Sequence, residues 1–413
     1  MTSRLLIIGA GRAGAYTAVY AREAGFTGEI LLLGNEAELP YDRPPLSKQM
    51  LLEPSAISSL QIFAPEEYGK HGINLILDAA VSRIDPARKT VWCRDDRSFS
   101  YDKLVIATGS KARRIAGTED IDPSLRYLRT IGDAVELRDE MDRARSIAVV
   151  GGGYIGLEVA ATAIKRGHEV TVLEAGQSVM GRVLAPEVAG ILAGIHRQRG
   201  VKIKTGTAVR KMERGLGGLT LTLAEGEAAT FDCVLIGVGA SAADELAREA
   251  GLETEDGIFV DEFGRSSDPD IYAVGDVARL KHGTQNRHVR LESWQHAERH
   301  AKAVCSNIFG AAAPYNDVPW FWSEQYELNI QMVGIPASWD DLVFRGEVDS
   351  GSFSVIYLSN GEIVAANCFN RPKEVTPLRK MIASQTRPLK RALADVTTDL
   401  RSLASERSNR ANV

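Results

Sequence analysis

The chain has 413 residues, 44% of them apolar and 25% charged, and a net charge of −5. These fractions are ordinary for a globular protein and exclude a disordered one, and at roughly 150 residues per domain the length predicts two or three domains. The negative balance argues against nucleic-acid binding through overall charge, and no apolar run is long enough to span a bilayer.

The first strand begins by Leu5, which leaves no room for a signal peptide, so a cytoplasmic location is expected. Four apolar residues, Leu5 to Ile8, run into Gly9, Gly11 and Gly14 with G-x-G-x-x-G spacing. A helical pattern follows (Ala15, Ala18, Val19, Ala21, Ala24) and Gly25 suits its end. A second apolar run, Ile30 to Leu33, leads into Asn35 and Glu36. Strand, tight turn, helix, strand and acid each have a task in dinucleotide binding. The first glycine allows a sharp turn, the second lets backbone approach a pyrophosphate, and the third lets the helix sit close. The helix start offers N–H groups to phosphates, and the acid can accept from a ribose.

Next comes LPYDRPPLSKQML, where Pro44 and Pro45 exclude helix and strand pairing locally. Tyr41, Arg43 and Lys48 on this stiff loop read equally as a cofactor wall or as solvated surface. Ile73–Leu77 and Val81–Ile84 look like strands, and 89–93 with 99–102 like a hairpin. KLVIATGS, 103–110, is a buried strand ending in Thr-Gly. A connector with a charged helix over 133–145 follows.

The opening pattern then returns. Ile147–Val150 is a strand, Gly151, Gly153 and Gly156 repeat the spacing, 157–166 is a helix, and Val170–Leu173 closes on Glu174. Two complete fingerprints imply two dinucleotide sites. A carboxylate at Glu174 would accept from the 2′-OH of NADH and repel the 2′-phosphate of NADPH. Ala175, Gly176 and Gln177 supply no arginine for that phosphate, so NADH is expected.

A strand over 231–237 ends in VLIGVGA, and DIYAVGDVA, 270–278, is a strand ending in Gly275-Asp276. Asp276 could hold ligand hydroxyls at a strand's C-terminal end or simply cap a helix. A helix over 293–309 precedes VPWFWSEQ, whose Trp320, Phe321 and Trp322 read as core or as cofactor wall. Strands at 342–348, 353–358 and 363–368 make a β-rich third unit, with tail helices at 376–383 and 388–403. From Arg371 onward ten basic residues face four acidic ones, a charge of +6 that leaves −11 for the rest. That tail reads as a solvated face or as a docking surface for an acidic partner. Cys93, Cys233, Cys305 and Cys368 are far apart, with no C-x-x-C. Neither a redox dithiol nor a metal site is suggested, and buried small hydrophobes are expected.

IIGAGRAG, LPYDRPPLSK, LVIATGS, VVGGGYIGLE, YAVGDVA and VPWFWSEQ stand in the order, and over essentially the whole length, of a known family. The chain resembles the FAD-dependent pyridine-nucleotide oxidoreductases of glutathione-reductase-like fold. More narrowly, it is similar to the NADH-dependent ferredoxin reductases that serve aromatic-ring dioxygenases and bacterial P450 systems, a branch that includes apoptosis-inducing factor.

The resemblance implies an α/β fold with two Rossmann-like dinucleotide-binding domains and a C-terminal α+β domain. It implies FAD binding by 1–110 and 240–318, NADH binding by 111–239, and a C-terminal domain at 319–413. FAD contacts would be Gly9, Gly11, Ala13, Gly14, Asn35, Glu36, Arg43, Lys48, Val81, Arg129, Asp276, Trp294 and Trp322. NADH contacts would be Gly151, Gly153, Ile155, Gly156, Glu158, Glu174, Gly239 and Glu292. GVGASAAD departs from the family's G-x-G-x-x-P-N, which bears on the detail around Gly239. Lys48 and Glu158 are implied as a catalytic ion pair near the reacting rings, with a [2Fe–2S] ferredoxin as electron acceptor, which the basic tail leads us to expect to be acidic. Rubredoxin, a haem protein or a quinone are rival acceptors, and a redox-gated binding protein like apoptosis-inducing factor is the rival class. The oligomeric state, monomer or dimer, stays open.

Overall fold

The computed structural model describes residues 3–405 except 55–56, 117, 119–123, 216, 225 and 283–286. They form two compact units: Met1–Pro45, Ser55–Lys111 and Ala240–Asn316 in the first, and Leu46–Pro54, Ala112–Gly239 and Asp317–Val413 in the second.

The first unit is built on a parallel sheet in the order Ile271–Ala273, Lys103–Ile106, Arg4–Ile8, Glu29–Leu33, Ile73–Ile76. A parallel sheet is covered on both faces, which is why its central strands are apolar after their first residue. Leu5, Leu6 and Ile7 are fully buried. Helix Arg12–Glu23 contributes Ala13, Ala18, Val19 and Ala21 to this core, and helix Trp294–Phe309 contributes Ala297, Val304 and Cys305. An antiparallel layer, Val81–Asp85, Thr90–Cys93 and Ser98–Ser100, contains the expected hairpin.

The second unit repeats the design. Its parallel sheet runs Lys202–Lys204, Glu169–Leu173, Ser146–Val150, Cys233–Ile236, Leu125–Arg126. The same unit carries a five-stranded antiparallel sheet in the order Trp320–Gln325, Leu328–Gly334, Glu362–Phe369, Ser352–Ser359, Asp341–Glu347. Helix Pro372–Ala383 buries Leu378 and Met381 against Val333 and Ile356 of that sheet. The chain is thus α/β with two Rossmann-like parallel sheets and a C-terminal antiparallel sheet, the class expected.

Three local readings need correction. Pro44 and Pro45 do not exclude helix: Pro44–Ser47 is a 3₁₀ turn followed by helix Gln49–Leu52. The N–H groups that proline lacks are those a helix start leaves unpaired anyway. The tail segment 388–403 is not one helix but two, Lys390–Ala394 and Leu400–Ser405. Asp395 breaks it by accepting from the Thr397 amide and from the hydroxyls of Thr397 and Thr398. Arg345 then takes the carbonyls of Leu393, Asp395, Val396 and Thr398. Burial alone would raise the Glu374 carboxyl, but hydrogen bonds from Arg371, Ser354 and Arg345 hold it below its ordinary value.

The tail's basic excess is also partly internal. Arg371 pairs with Glu374, Arg379 with Asp317, Arg387 with Glu362 and Lys390 with Asp341. Lys373, Lys380, Arg391 and Arg401 remain exposed.

Candidate functional site

In the first unit, register brings the ends of three strands level: Ile8 lies beside Leu33 and Ile106, and Ala273 beside Ile106. Gly9, Gly34, Ala107 and Val274 therefore share one edge. Gly9 has φ +106°, and a Cβ there would lie 2.3 Å from the Ala107 carbonyl oxygen. A Cβ at Gly14 would lie 1.9 Å from the Gly9 carbonyl oxygen. The third glycine thus closes the helix onto the turn itself. Gly11 is different: a Cβ there meets nothing within 4 Å. It is the N-cap of helix Arg12–Glu23, with no side-chain cap bond. The orphan N–H groups of a helix start face open space, which fits a pyrophosphate.

Several of the other first-unit residues lie at this turn or at the ends of its strands. Glu36 accepts from the Tyr41 hydroxyl at 2.6 Å and from Arg43 at 3.1 Å, while Asn35 is exposed beside it. A Cβ at Gly275 would touch that of Ala13 at 2.8 Å, so small residues at both positions let the Asp276 loop approach the turn. Asp276 accepts from the Ser110 hydroxyl at 2.9 Å. Arg12, inside the glycine motif, donates to Asp42 at 2.7 Å and Glu298 at 2.5 Å. Its guanidinium stacks 3.3 Å from the Trp294 ring centroid, and the indole N–H also goes to Asp42. One face of Trp294 is thereby taken by a cation. Val81 opens the antiparallel layer opposite Cys93. Glu292 belongs to this unit, where Arg290 engages its carboxylate.

The second unit shows the same turn almost atom for atom. Gly151 has φ +107°, a Cβ at Gly156 would lie 2.1 Å from the Gly151 carbonyl oxygen, and one at Gly153 meets nothing within 4 Å. Gly153 caps helix Tyr154–Lys165 without a side-chain bond. Ile155 on its first turn is 43% exposed, an apolar side chain left open beside the turn. Glu174 accepts from the Gly152 amide at 2.7 Å and the Gly176 amide at 2.6 Å, which sets the carboxylate at the turn's mouth. Gly239 has φ +105°, and its missing Cβ would stand 3.3 Å from Arg182 Nη2. Arg129 precedes Thr130, the capping-box start of helix Ile131–Met141.

Lys48 and Glu158 meet in this unit at 3.0 Å. Glu158 is 4% exposed, and its other donors are the hydroxyls of Ser47 and of Ser323, the latter at 2.8 Å. Ser323 lies on strand Trp320–Gln325, where Trp320 and Trp322 stack with ring centroids 5.4 Å apart. Tyr154 packs edge-on against Phe321 at 4.9 Å. The motif WFWSEQ therefore does two jobs, with indoles on one side of the strand and buried polar groups on the other.

Ser47, Ser323, Arg12 and Arg182 were absent from the sequence reading. Polar Ser323 and Gln325 at alternate positions, directly after the aromatic run Trp320–Trp322, were a usable sign. Ser47 and Arg182 carry none, because their roles depend on how distant segments fold together.

The chain matches the family model described as pyridine nucleotide-disulphide oxidoreductase over residues 3–301 and the reductase C-terminal model over 320–404. It is 36% identical over 406 residues to the 5,5′-dehydrodivanillate O-demethylase ferredoxin reductase subunit of Sphingobium sp., covering 97% of this chain and 98% of that one. It is 37% identical to the ferredoxin–NAD(+) reductase component of the anthranilate 1,2-dioxygenase system of Burkholderia cepacia, covering 96% and 98%. The putidaredoxin reductase chain in its covalent complex with putidaredoxin superposes with a TM-score of 0.93 at 35% identity, over 98% of each chain. The two turns and these matches define an NAD(P)H-dependent flavin oxidoreductase of the ferredoxin reductase type. The chain belongs to the pyridine nucleotide-disulphide oxidoreductase family, which implies FAD and NAD(P)H as cofactors.

Proposed function

We propose that this chain moves electrons from NADH through FAD to a [2Fe–2S] ferredoxin that feeds an oxygenase. The observation that carries the reading is the pair of matching glycine turns, each with an uncapped helix start and open space at its middle glycine. In this reading residues 1–110 and 240–318 bind FAD, 111–239 bind NADH, and 319–413 form the C-terminal domain. FAD, when bound, supplies the exchange between a two-electron donor and a one-electron acceptor.

The chain's own residues position and polarise. Gly9, Gly11, Ala13 and Gly14 would cradle the FAD pyrophosphate, with Glu36 on the ribose, Arg43 bracing Glu36, and Asp276 on further hydroxyls. Asn35, Val81 and Trp294 would complete that site, and Lys48, Arg129 and Trp322, which belong to the second unit, are assigned to FAD by the family resemblance alone. Gly151, Gly153, Ile155, Gly156, Gly239, Glu158 and Glu292 would hold NADH. Lys48 and Glu158 would orient the reacting rings as an ion pair. Exposed Lys373, Lys380, Arg391 and Arg401 suit an acidic ferredoxin. The test is the visible spectrum of the purified protein during NADH titration. A yellow protein bleached by NADH, and recoloured once a [2Fe–2S] ferredoxin is added, is expected; a colourless one would end the proposal. Slow recolouring with every acceptor would favour the redox-gated binding protein.

Glu174 carries the nucleotide preference. Glu174→Ala removes a charged hydrogen bond to the ribose, worth roughly 1.5–3 kcal/mol. NADH affinity is expected to fall about tenfold while NADPH affinity rises, as read by titration with both nucleotides. An unchanged ratio would remove Glu174 from the ribose site.

The cysteines take no part in this scheme. All four are buried, and burial pushes the thiols of Cys233 and Cys368 up to about 12. A thiol that stays protonated is no nucleophile. Iodoacetamide treatment of the native protein is expected to leave turnover intact, and inactivation without unfolding would revive a dithiol route.

A further inference from the structure

Glu158 has one oxygen committed to Lys48 and Ser47, and the other begins a buried chain through the second unit. Ser323 Oγ donates to Glu158 Oε1 at 2.8 Å and accepts from Gln325 Nε2 at 3.0 Å. Gln325 Oε1 lies 2.8 Å from His196 Nε2, and His196 Nδ1 lies 3.1 Å from the Tyr326 hydroxyl. Ser323, Gln325 and His196 are all fully buried, and Tyr326 is half-buried. The side chains come from three places in the fold. Ser323 and Gln325 share a strand face, His196 ends helix Pro186–Gln198, and Tyr326 sits at φ +58° in the turn after the strand.

The chain can run only one way. A carboxylate accepts and never donates. Ser323 must therefore give its proton to Glu158 and so can only accept from Gln325. That turns the Gln325 amide so its oxygen faces His196, which must carry its proton on Nε2. Nδ1 is left to accept from Tyr326. Burial lowers the His196 pKa to about 4, so the ring is neutral at neutral pH, as this arrangement needs.

We propose that Ser323, Gln325 and His196 are positioning residues for Glu158, a one-way donor chain that fixes the carboxylate's orientation toward Lys48. The inference rests on the reading of Lys48 and Glu158 as the pair beside the reacting rings. It extends that pair to the strand that also carries Trp322.

The direction of the chain is testable without turnover. In Glu158→Gln, Lys48 and Ser47 still need an acceptor, so the new carbonyl oxygen takes their side and the new amide N–H faces Ser323. The Ser323 proton, no longer held by a carboxylate, is then free for Gln325, whose amide is expected to turn over and donate to His196 Nε2. The imidazole proton moves to Nδ1. ¹⁵N NMR of the holoprotein labelled at its seven histidines reads this directly, with the His196→Gln spectrum assigning the signal. Expected is the Nε2–H tautomer in the native protein and Nδ1–H in Glu158→Gln. The same tautomer in both, or Nδ1–H in the native protein, overturns the proposal.

Stopped-flow reduction by NADH supplies a second reading. His196→Leu is expected to lower the limiting rate about fivefold with little change in NADH affinity, whereas His196→Gln, which keeps an N–H toward Gln325, restores most of it. Equal slowing in both variants would indicate packing alone and count against the proposal. A tautomer switch in Glu158→Gln with native reduction rates would uphold the chain and remove Glu158 from the reaction instead. The two failures are therefore separable.

Discussion

Lys48→Met is expected to slow flavin reduction by NADH at least about tenfold and to destabilise the protein by about 3 kcal/mol. The reason is the asymmetry of a buried pair. The Lys48 side chain is 18% exposed and that of Glu158 only 5%, so Glu158 depends on its partner more than the reverse. Removing the ammonium leaves a buried carboxylate with two hydroxyl donors, Ser47 and Ser323. Those donors put the cost toward the lower end of the usual 3–5 kcal/mol for breaking such a pair. Lys48→Met with Glu158→Gln should recover most of the stability, because no charge is then stranded, yet recover none of the rate. Urea unfolding and stopped-flow reduction on the two single variants and the double variant form the cycle. If the double variant regained the rate along with the stability, the pair would be a folding device and not part of the reaction. Additive losses of stability would instead show that the two charges do not interact.

How much of this was legible beforehand follows from distance along the chain. The glycine turns could be read because each is local: Gly151, Gly153 and Gly156 lie within six residues, and their geometry follows from backbone sterics. The helix ends at Gly25 and Gly167 were readable for the same reason, both glycines having positive φ. The central parallel strands announced themselves as apolar runs, whereas the edge strands Lys202–Lys204 and Leu125–Arg126, short and carrying charge, did not. The tail was misread where a single side chain, Arg345, gathers carbonyls from a segment some fifty residues later. Nothing in the helical pattern over 388–403 signals that capture, although the Asp395-Val-Thr-Thr turn chemistry was present. The basic excess after Arg371 was a true count but a poor guide to surface. Its partners Asp317, Asp341 and Glu362 lie elsewhere in the sequence and meet it only in the fold. For the ion pair itself, Lys48 and Glu158 stand 110 residues apart, and only the family resemblance joined them before the structure did.

Gly11→Val is expected to give a folded but colourless protein, and Gly153→Val a yellow protein that binds NADH roughly a hundredfold more weakly. Most glycine substitutions in such turns would say little, because they break the fold. A side chain at Gly9 or Gly151 is strained by φ near +106° and meets backbone, and one at Gly14 or Gly156 overlaps a carbonyl oxygen. The middle glycines are exempt. Gly11 has φ −83° and Gly153 φ −82°, extended backbone that any residue adopts, and a Cβ at either points into open space. What the valine side chain fills is the volume in which a pyrophosphate would meet the N–H groups of the helix start. Losing two charge-assisted hydrogen bonds there removes roughly 3 kcal/mol of binding without touching the core. The same substitution in two matching turns thus separates the two cofactors. The flavin content of the purified proteins reads the first turn, and NADH titration of the flavin-loaded Gly153→Val variant reads the second. Flavin lost from Gly153→Val and kept in Gly11→Val would reverse the assignment of the two sites. Flavin and NADH binding unchanged in both would mean that neither turn is a phosphate cradle, whatever its resemblance to one.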